Sequence, residues 1–256
     1  MKIAVIGAGA MGGATVEGMM KADYFDNKNI TVSDPSEAVL NKFSAQGINV
    51  TTDNAQAAAE ADVVMVFVKP WLVEQVLKGI APALTTEKIL VVIAAGVPSV
   101  KIQEWTGIKM PLFLCIPNIA IAELASMTFL VTVTGEPSHT ETVKAIFDAM
   151  GSTLMTDEQH LAAGTTLASC GIAYAMRYIR AASEGGVELG FKADHAKEIV
   201  MQTMLGAVKL LQASGMHPEA AIDLVTTPGG LTIKGLNEME HAGFTSAVIR
   251  GLKAGV

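Results

Sequence analysis

A glycine-rich loop near the start of the chain has the residue types and spacing of an anion-binding site. Its three glycines form the pattern G-x-G-x-x-G directly after an apolar run and at the start of a helical pattern. The first glycine of this pattern allows a tight turn, the second lets backbone approach a pyrophosphate, and the third permits close helix–sheet packing. A glycine turn without a ligand is the alternative. The candidate cofactor-binding residues of this loop are Gly7, Ala8, Gly9, Ala10, Met11 and Gly12.

An acidic residue, Asp34, ends the second apolar run, with Ser33 beside it. A carboxylate in this place can bind the 2′-hydroxyl of a ribose and repels a 2′-phosphate. No Arg or Lys that could receive that phosphate occurs between Asp34 and Lys42. The sequence therefore favours NAD over NADP. Asp34 can also begin a turn while Ser36 caps the following helix, and the two roles are compatible.

Further candidates follow the later apolar runs. In open α/β sheets, ligands bind outside the carboxyl ends of the strands. We therefore expect cofactor and substrate to meet near Val68, Lys69, Pro70, Ala94, Ala95, Gly96, Pro117 and Asn118. Asn54, at the start of a helical pattern, is one more candidate for cofactor binding, and a helix N-cap is its alternative role.

A second glycine-rich stretch, TTPGGLTIKGL, interrupts a region that otherwise has helical patterns. Two adjacent glycines inside a helix cost about 1 kcal/mol each relative to alanine, and a simple corner needs only one. Gly229 and Gly230 therefore indicate that something approaches this backbone closely. A helix–helix corner stiffened by Pro228 is the alternative.

The elements that must position these residues alternate between strand and helix over residues 1–155. Short, β-branched, nearly continuous apolar runs predict strands that are buried on both faces of a parallel sheet. They are Lys2–Ile6, Ile30–Ser33, Asp62–Val68, Lys88–Ala94 and Pro111–Cys115, with later strands at Met127–Val133 and Thr153–Met155. The alternation predicts an α/β fold, with an N-terminal Rossmann-type doubly wound sheet.

From residue 156 to residue 256 the patterns are helical only. We expect one helix from about Asp157 to Ala182, and then an all-helical C-terminal dimerisation domain with further helices at Asp194–Ala213, Pro218–Val225, Leu231–Ala242 and Phe244–Ala254. Several of these helices carry apolar residues on more than one face, and such faces must be covered. A homodimer through these helices is therefore expected.

Composition narrows the class of protein further. Half of the 256 residues are apolar and 17% are charged, which excludes a disordered chain, and the net charge of −7 argues against nucleic-acid binding. The apolar runs are too short to span a membrane, and the first residues fit a strand and a glycine turn better than a signal peptide. Cys115, Cys170 and the five histidines have no metal-ligand spacing, so no metal site is expected. A reduced, cytosolic enzyme is the default expectation.

Five segments together resemble the pyrroline-5-carboxylate reductase family: VIGAGAMG, VFVKP, IAAGV, PN and TTPGGLTIKGLNEMEHAG. Their order and spacing fit this family over nearly the whole chain. The resemblance implies a Rossmann domain with a helical dimerisation domain, often assembled into rings of dimers. It also implies reduction of the cyclic imine Δ1-pyrroline-5-carboxylate to proline with NADH or NADPH. Family precedent favours NADP, whereas Asp34 favours NAD.

The resemblance implies a substrate-binding role for Glu158 and for the second glycine loop, namely Pro228, Gly229, Gly230, Leu231 and Thr232. A Gly-Gly turn that leads into a helix N-terminus exposes backbone N–H groups in a nest suited to the substrate carboxylate. Thr232 is the catalytic candidate, as a donor or relay of a proton to the ring nitrogen. Because an iminium needs little activation, positioning supplies most of the effect. An acid at a helix N-terminus is the alternative role of Glu158.

The chain departs from the family pattern between the two glycine loops. The family usually has Arg-x-Met-Pro-Asn-Thr-Pro where this chain has Leu114-Cys-Ile-Pro117-Asn118-Ile-Ala120, and its Gly-Ser-Gly-Pro-Ala-Tyr is replaced by Ser169-Cys170-Gly171-Ile172-Ala173-Tyr174. A related imine therefore stays open as the substrate.

Two other functions use the same parts. A β-hydroxyacid dehydrogenase needs a lysine acid/base followed by an asparagine, and Lys209 is followed by Gln212 and Ala213 instead. A non-catalytic dinucleotide sensor would keep the first glycine loop and lose the second, which this chain retains.

Overall fold

The computed structural model describes residues 1–93 and 95–256, which form two compact units, Met1–Cys170 and Gly171–Val256. The first unit is built on an eight-stranded sheet in the order β3-β2-β1-β4-β5-β6-β7-β8. The strands are β1 (Ile3–Ile6), β2 (Ile30–Ser33), β3 (Asn49–Thr51), β4 (Val63–Val66), β5 (Ile89–Val92), β6 (Leu112–Ile116), β7 (Ser126–Thr134) and β8 (Gly151–Met155). All neighbours pair in parallel except β6 and β7, which are antiparallel.

The helices of the first unit follow the strands in the alternation that the sequence predicts. They are α1 (Ala10–Lys21), α2 (Glu37–Ser44), α3 (Asn54–Glu60), α4 (Val73–Ile80), α5 (Ser99–Thr106), α6 (Pro137–Asp148) and α7 (Leu161–Gly164). Alternate residues of each central strand enter different cores, as Ile3 and Val5 do on one face of β1 and Ala4 and Ile6 on the other. Both faces of the sheet are therefore covered, which explains the nearly continuous apolar runs.

Strand β3 is absent from the sequence-based prediction. It has three residues, its Asn49 is exposed, and it lies at the edge of the sheet, where it pairs with β2 through Val32 and Val50. A segment this short and partly polar has no apolar run of its own, so pairing with a buried neighbour makes it a strand.

The segment predicted as one helix from about Asp157 to Ala182 is helical, but its hydrogen-bonding pattern changes along its length and it continues to Glu188. The chain forms a 3₁₀ turn at Glu158–His160, then α7, a π-helical turn at Thr165–Ser169, and α8 (Gly171–Glu188). Thr156 donates its backbone N–H to the carbonyl of Leu130, and Gly164 packs against the ring of Phe129. Such contacts explain why residues 156–170 belong to the first compact unit although the sequence pattern changes at residue 155.

The second unit is helical throughout. After α8 it contains α9 (Ala193–Ser214), α10 (Pro218–Asp223), α11 (Leu231–His241) and α12 (Phe244–Lys253). Gly190 and Gly215, both with positive φ, end α8 and α9. In the part of the chain that the structure describes, no helix has both the length and the apolar character needed to cross a bilayer.

Candidate active site

A cleft of about 1060 Å³ lies at the carboxyl ends of β1, β2, β4, β5 and β6. The predicted cofactor residues that line it are Gly7, Gly9, Ala10, Met11, Ser33, Asp34, Asn54, Val68, Lys69, Pro70, Ala95 and Pro117. Each of the predicted residues Ala8, Gly12, Gly96 and Asn118 is next in sequence to one of these but does not itself line the cleft. Ala94 lies outside the described residues. The strand ends thus bring most of the predicted set together.

The glycine loop has the shape that a bound pyrophosphate requires. A Cβ atom at Gly12 would lie 1.9 Å from the carbonyl oxygen of Gly7, so the turn closes only with glycine there. A Cβ at Gly9 would meet nothing within 4 Å, which leaves open space on the cleft side of the loop. Helix α1 begins after Gly9 without a side-chain cap, so its first amides are available to an anion. The residues present therefore fit a dinucleotide.

Asp34 links the end of β2 to the glycine loop. Its Oδ2 accepts the backbone N–H of Ala8 at 2.8 Å, and its Oδ1 accepts that of Ser36 at 2.9 Å. The side chain of Ser36, the N-cap residue of α2, makes no capping bond, so the predicted capping role of Ser36 is wrong. Asp34 instead closes a turn just before the helix. Its place in the cleft wall and its place in the turn are compatible, as the sequence suggests.

Ser33 and Asn54 form a polar pair beside Asp34. The buried hydroxyl of Ser33 donates to Asn54 Oδ1 at 2.6 Å. The N-cap of α3 is Asp53, whose carboxylate accepts the amides of Ala55 and Gln56. The alternative role of Asn54 as the N-cap is therefore wrong, and its side chain lies in the cleft wall instead.

Asn118 is buried, does not line the cleft, and holds neighbouring segments together through its side-chain amide. Its Oδ1 accepts the backbone N–H of Ala120 at 3.0 Å, and its Nδ2 donates to the carbonyl of Ala168 at 3.5 Å. The second of these bonds ties the end of β6 to the π-helical turn. The asparagine thus orders the wall without facing the cleft.

Cleft-lining residues that the sequence reasoning missed include Thr165 and Ser169, which lie on the π-helical turn. Apolar periodicity cannot distinguish a π turn from an α-helix, and π turns occur often at functional sites. Gln75 of α4 is a third such residue. The only signal in the sequence was the departure from the family pattern at Ser169.

Both carboxylate oxygens of Glu158 bind one residue, Ser99. Its Oε1 accepts the backbone N–H of Ser99 at 2.8 Å, and its Oε2 accepts the Ser99 hydroxyl at 2.6 Å. Glu158 therefore binds the N-terminus of α5. It also lies in the first turn of its own 3₁₀ helix, which fits its alternative role as an acid at a helix N-terminus. Its contact with a substrate stays a prediction.

The second glycine loop lies in the second unit and has local reasons for both glycines. Gly229 has a φ of 70°, and a Cβ at Gly230 would lie 2.5 Å from the hydroxyl of Thr227. Gly230 is the N-cap of α11 and brings no capping side chain, which leaves the first amides of α11 available. Leu231 is 87% exposed, and Thr232 in the same turn is exposed as well.

The described residues include possible metal ligands and the thiol of Cys115. No group of three or more His, Cys, Asp or Glu side chains among them is placed to hold a metal ion. Burial raises the pKa of the Cys115 thiol well above its usual value, so this thiol stays protonated and is a poor nucleophile.

Comparison with known proteins gives the family. The family model described as pyrroline-5-carboxylate reductase dimerisation matches residues 158–256, and a model described as NADP oxidoreductase coenzyme F420-dependent matches residues 2–96. A pyrroline-5-carboxylate reductase from Methanosarcina acetivorans is 37% identical over 97% of this chain and 94% of its own length. The chain belongs to the pyrroline-5-carboxylate reductase family. This confirms the resemblance stated from the sequence.

Two further relatives of the pyrroline-5-carboxylate reductase family support the same assignment. Pyrroline-5-carboxylate reductase 1 of Dictyostelium discoideum is 36% identical over 98% of this chain, which spans only 48% of that relative's length. The crystal structure of Plasmodium falciparum pyrroline carboxylate reductase with NADP bound superposes with a TM-score of 0.90. It is 25% identical, and the match covers 100% of this chain and 95% of that one. The predicted fold class, a Rossmann-type sheet followed by a helical dimerisation domain, is confirmed.

Proposed function

We propose that the chain reduces Δ1-pyrroline-5-carboxylate to L-proline with NADH or NADPH. The observation that carries the proposal is the 37% identity to a reductase of this name over nearly the full length of both chains. The cleft adds independent support, because an uncapped helix N-terminus and an open glycine loop suit a dinucleotide pyrophosphate.

The bound dinucleotide would supply the hydride, and the chain supplies binding and orientation. The amides at the start of α1 would hold the pyrophosphate, while Asp34 and Asn54 lie in the wall next to that loop. Ala95 and Pro117, after β5 and β6, form the wall on the other side of β1. Ala95 and Pro117 are therefore the residues that would face the nicotinamide, as expected for a sheet that binds its ligand at the strand ends.

The second glycine loop is the proposed substrate site. The free amides at the start of α11 suit the substrate carboxylate. Thr232, in the first turn of α11, donates or relays the proton that the ring nitrogen takes up as it becomes an amine. Pro228, Gly229, Gly230 and Leu231 shape the approach of the backbone to the ring.

A homodimer is supported by the dimerisation model that matches residues 158–256, which include the second unit. Assembly of such dimers into a ring, which the family resemblance implies, is part of this proposal. The molar mass of the pure protein in solution tests it, since a ring gives a multiple of the dimer mass.

The reaction is tested by mixing pure protein with the imine and with NADH or NADPH. We expect loss of reduced-nicotinamide absorbance together with formation of an equal amount of proline. Oxidation with another cyclic imine, but not with this one, would assign a related imine reductase. Dinucleotide binding without turnover of any cyclic imine would instead support the sensor.

A further inference from the structure

Residues 95–98 connect the cleft wall to the N-terminus of α5. Ala95 lines the cleft, and the segment ends at Pro98, the N-cap residue of α5. A proline brings no capping side chain, and none is found at this helix start. The amide of Ser99, the first residue of α5, therefore has no capping side chain beside it in the sequence.

Glu158 supplies a partner for this amide from a position 59 residues later in the chain. Its carboxylate accepts both the backbone N–H and the hydroxyl of Ser99, at 2.8 and 2.6 Å. Ser99 is only 7% exposed, so this contact is shielded from water on one side. A carboxylate at a helix N-terminus is favoured by the helix dipole, and hydrogen bonds to a charged acceptor are the stronger kind.

The segment that carries Glu158 leads directly to another wall of the same cleft. After the 3₁₀ turn at Glu158–His160, Leu161 packs against the core on one face of the sheet. The chain then enters the π-helical turn, where Thr165 and Ser169 line the cleft. The bond from Glu158 to Ser99 thus joins the loop after β5 to the segment that leads into the π-helical wall.

We propose that Glu158 is a positioning residue that acts through Ser99 to fix residues 95–98, and thereby to hold Ala95 in the cleft wall for dinucleotide binding. The proposal rests on the proposed function only for the identity of the dinucleotide. Glu158 bonds to Ser99 through both carboxylate oxygens and does not itself line the cleft, so the proposed role is indirect. Loss of Glu158 therefore loosens the dinucleotide and leaves the affinity for the imine unchanged.

The test measures dinucleotide binding by calorimetry without imine, and then kcat and KM with it. Glu158→Ala is expected to raise the Kd for NADH and NADPH about tenfold, as for loss of hydrogen bonds to a charged group. Ser99→Ala, which keeps the backbone N–H, is expected to raise the Kd by a smaller factor. If Glu158 acts through Ser99, the double variant binds no worse than Glu158→Ala alone. Glu158→Gln keeps an acceptor oxygen and is expected to recover part of the affinity.

Glu136→Ala is the matched control. Glu136 is likewise a carboxylate at a helix N-terminus, as the N-cap residue of α6, where the helix dipole favours it, and it does not line this cleft. We expect it to lower the melting temperature without changing the Kd. An equal loss of dinucleotide affinity in Glu136→Ala would overturn the proposal in favour of general destabilisation.

Two other results would also overturn it. One is an unchanged Kd in Glu158→Ala or, if that variant does not fold, in both Ser99→Ala and Glu158→Gln. The other is a raised KM for the imine in Glu158→Ala with no effect of Ser99→Ala, which would assign Glu158 to the substrate. Dinucleotide binding is measured without imine. If the wild-type protein binds dinucleotide but reduces no imine, the proposed function is refuted, and the effect of Glu158 on the dinucleotide Kd can still be measured.

Discussion

Asp34 places a negative charge at the end of β2, inside the cleft and bonded to the glycine loop. Two unit charges 4 Å apart repel by about 1 kcal/mol in water and about 4 kcal/mol at an effective dielectric constant of 20. A 2′-phosphate beside Asp34 would meet this repulsion. Among the described residues that line the cleft, the cationic side chain is that of Lys69. It follows β4, on the other side of β1 from Asp34.

We therefore predict a preference for NADH over NADPH of about tenfold or more in kcat/KM, since 1.4 kcal/mol corresponds to a factor of ten. Asp34→Ser is expected to remove this preference, because it removes the charge and keeps a short polar side chain. Steady-state kinetics with both dinucleotides measures it. A clear preference of the wild-type chain for NADPH would show that Asp34 does not meet the ribose.

Asp26→Ser is the control for this change. Asp26 also accepts the amide two residues ahead, that of Lys28, and it does not line the cleft. It is expected to leave the ratio of the two kcat/KM values unchanged.

Thr232 is the second residue of α11, and its hydroxyl is the proposed proton donor. Thr232→Ala is expected to lower kcat about 10²-fold, the usual effect of losing a positioned acid, and Thr232→Ser to restore most of it. Loss of one neutral hydrogen bond, worth about 1 kcal/mol, costs less than tenfold. A fall of that size would mean that Thr232 only orients the ring. The Kd for the dinucleotide is expected to stay unchanged in both Thr232 variants.

Thr245 offers the matched control for Thr232. It occupies the second position of α12, is exposed, and donates its hydroxyl to Glu240. Thr245→Ala is expected to keep wild-type kcat. A comparable fall in kcat in both variants would point to a general effect on the helices of the second unit.

At the scale of elements, α1 is the helix that presents the glycine loop, and it packs closely on the 3₁₀ turn Ile119–Glu123. Gly18 makes that approach possible, since a Cβ there would lie 2.3 Å from the carbonyl oxygen of Ile121. Gly18→Ala is therefore expected to destabilise the first unit by about 1–3 kcal/mol through overpacking. At about 2–4 °C per kcal/mol for a chain of this size, calorimetry would detect the fall in melting temperature.

Gly79 of α4 provides the comparison, because a Cβ there would meet nothing within 4 Å. Gly79→Ala is expected to be neutral or to stabilise by up to about 1 kcal/mol through helix propensity. If both substitutions had the same effect, the contact of α1 with Ile121 would not limit stability.

At the scale of the whole molecule, the second unit does not bury its own apolar side chains. Ala196 is its one buried residue among those described, whereas large apolar side chains on α8 and α9 are exposed. They include Met176, Val187, Ile199, Leu205 and Leu210. Apolar faces of this extent mark an interface, in agreement with the dimerisation model that matches residues 158–256.

We predict that the protein is a dimer or a multiple of it at micromolar concentration, measured by light scattering. Leu205→Glu is expected to shift it toward monomer, because a charge in an obligate, apolar interface would be buried unpaired. Gln202→Glu, an exposed polar position on the same helix, should leave the mass unchanged. A stable wild-type monomer would contradict this prediction.

The sequence by itself determined the layout of the fold and the two glycine loops. Apolar runs and helical periods are local signals, and they indicate the Rossmann-type alternation because each buried strand and each helix must satisfy its own period. The glycine loops are equally local, since Gly12 and Gly229 are needed for a close approach and a positive φ within a few residues.

The tertiary structure alone decided which distant residues meet. Glu158 caps α5 at Ser99, and Ser33 binds Asn54, because the sheet order brings segments far apart in sequence to the same edge. The π-helical turn within the segment predicted as one helix has the same origin. This turn places Thr165 and Ser169 in the cleft wall. Hydrogen bonds and packing between remote segments depend on how the strands are ordered in space, and no period along the chain records that order.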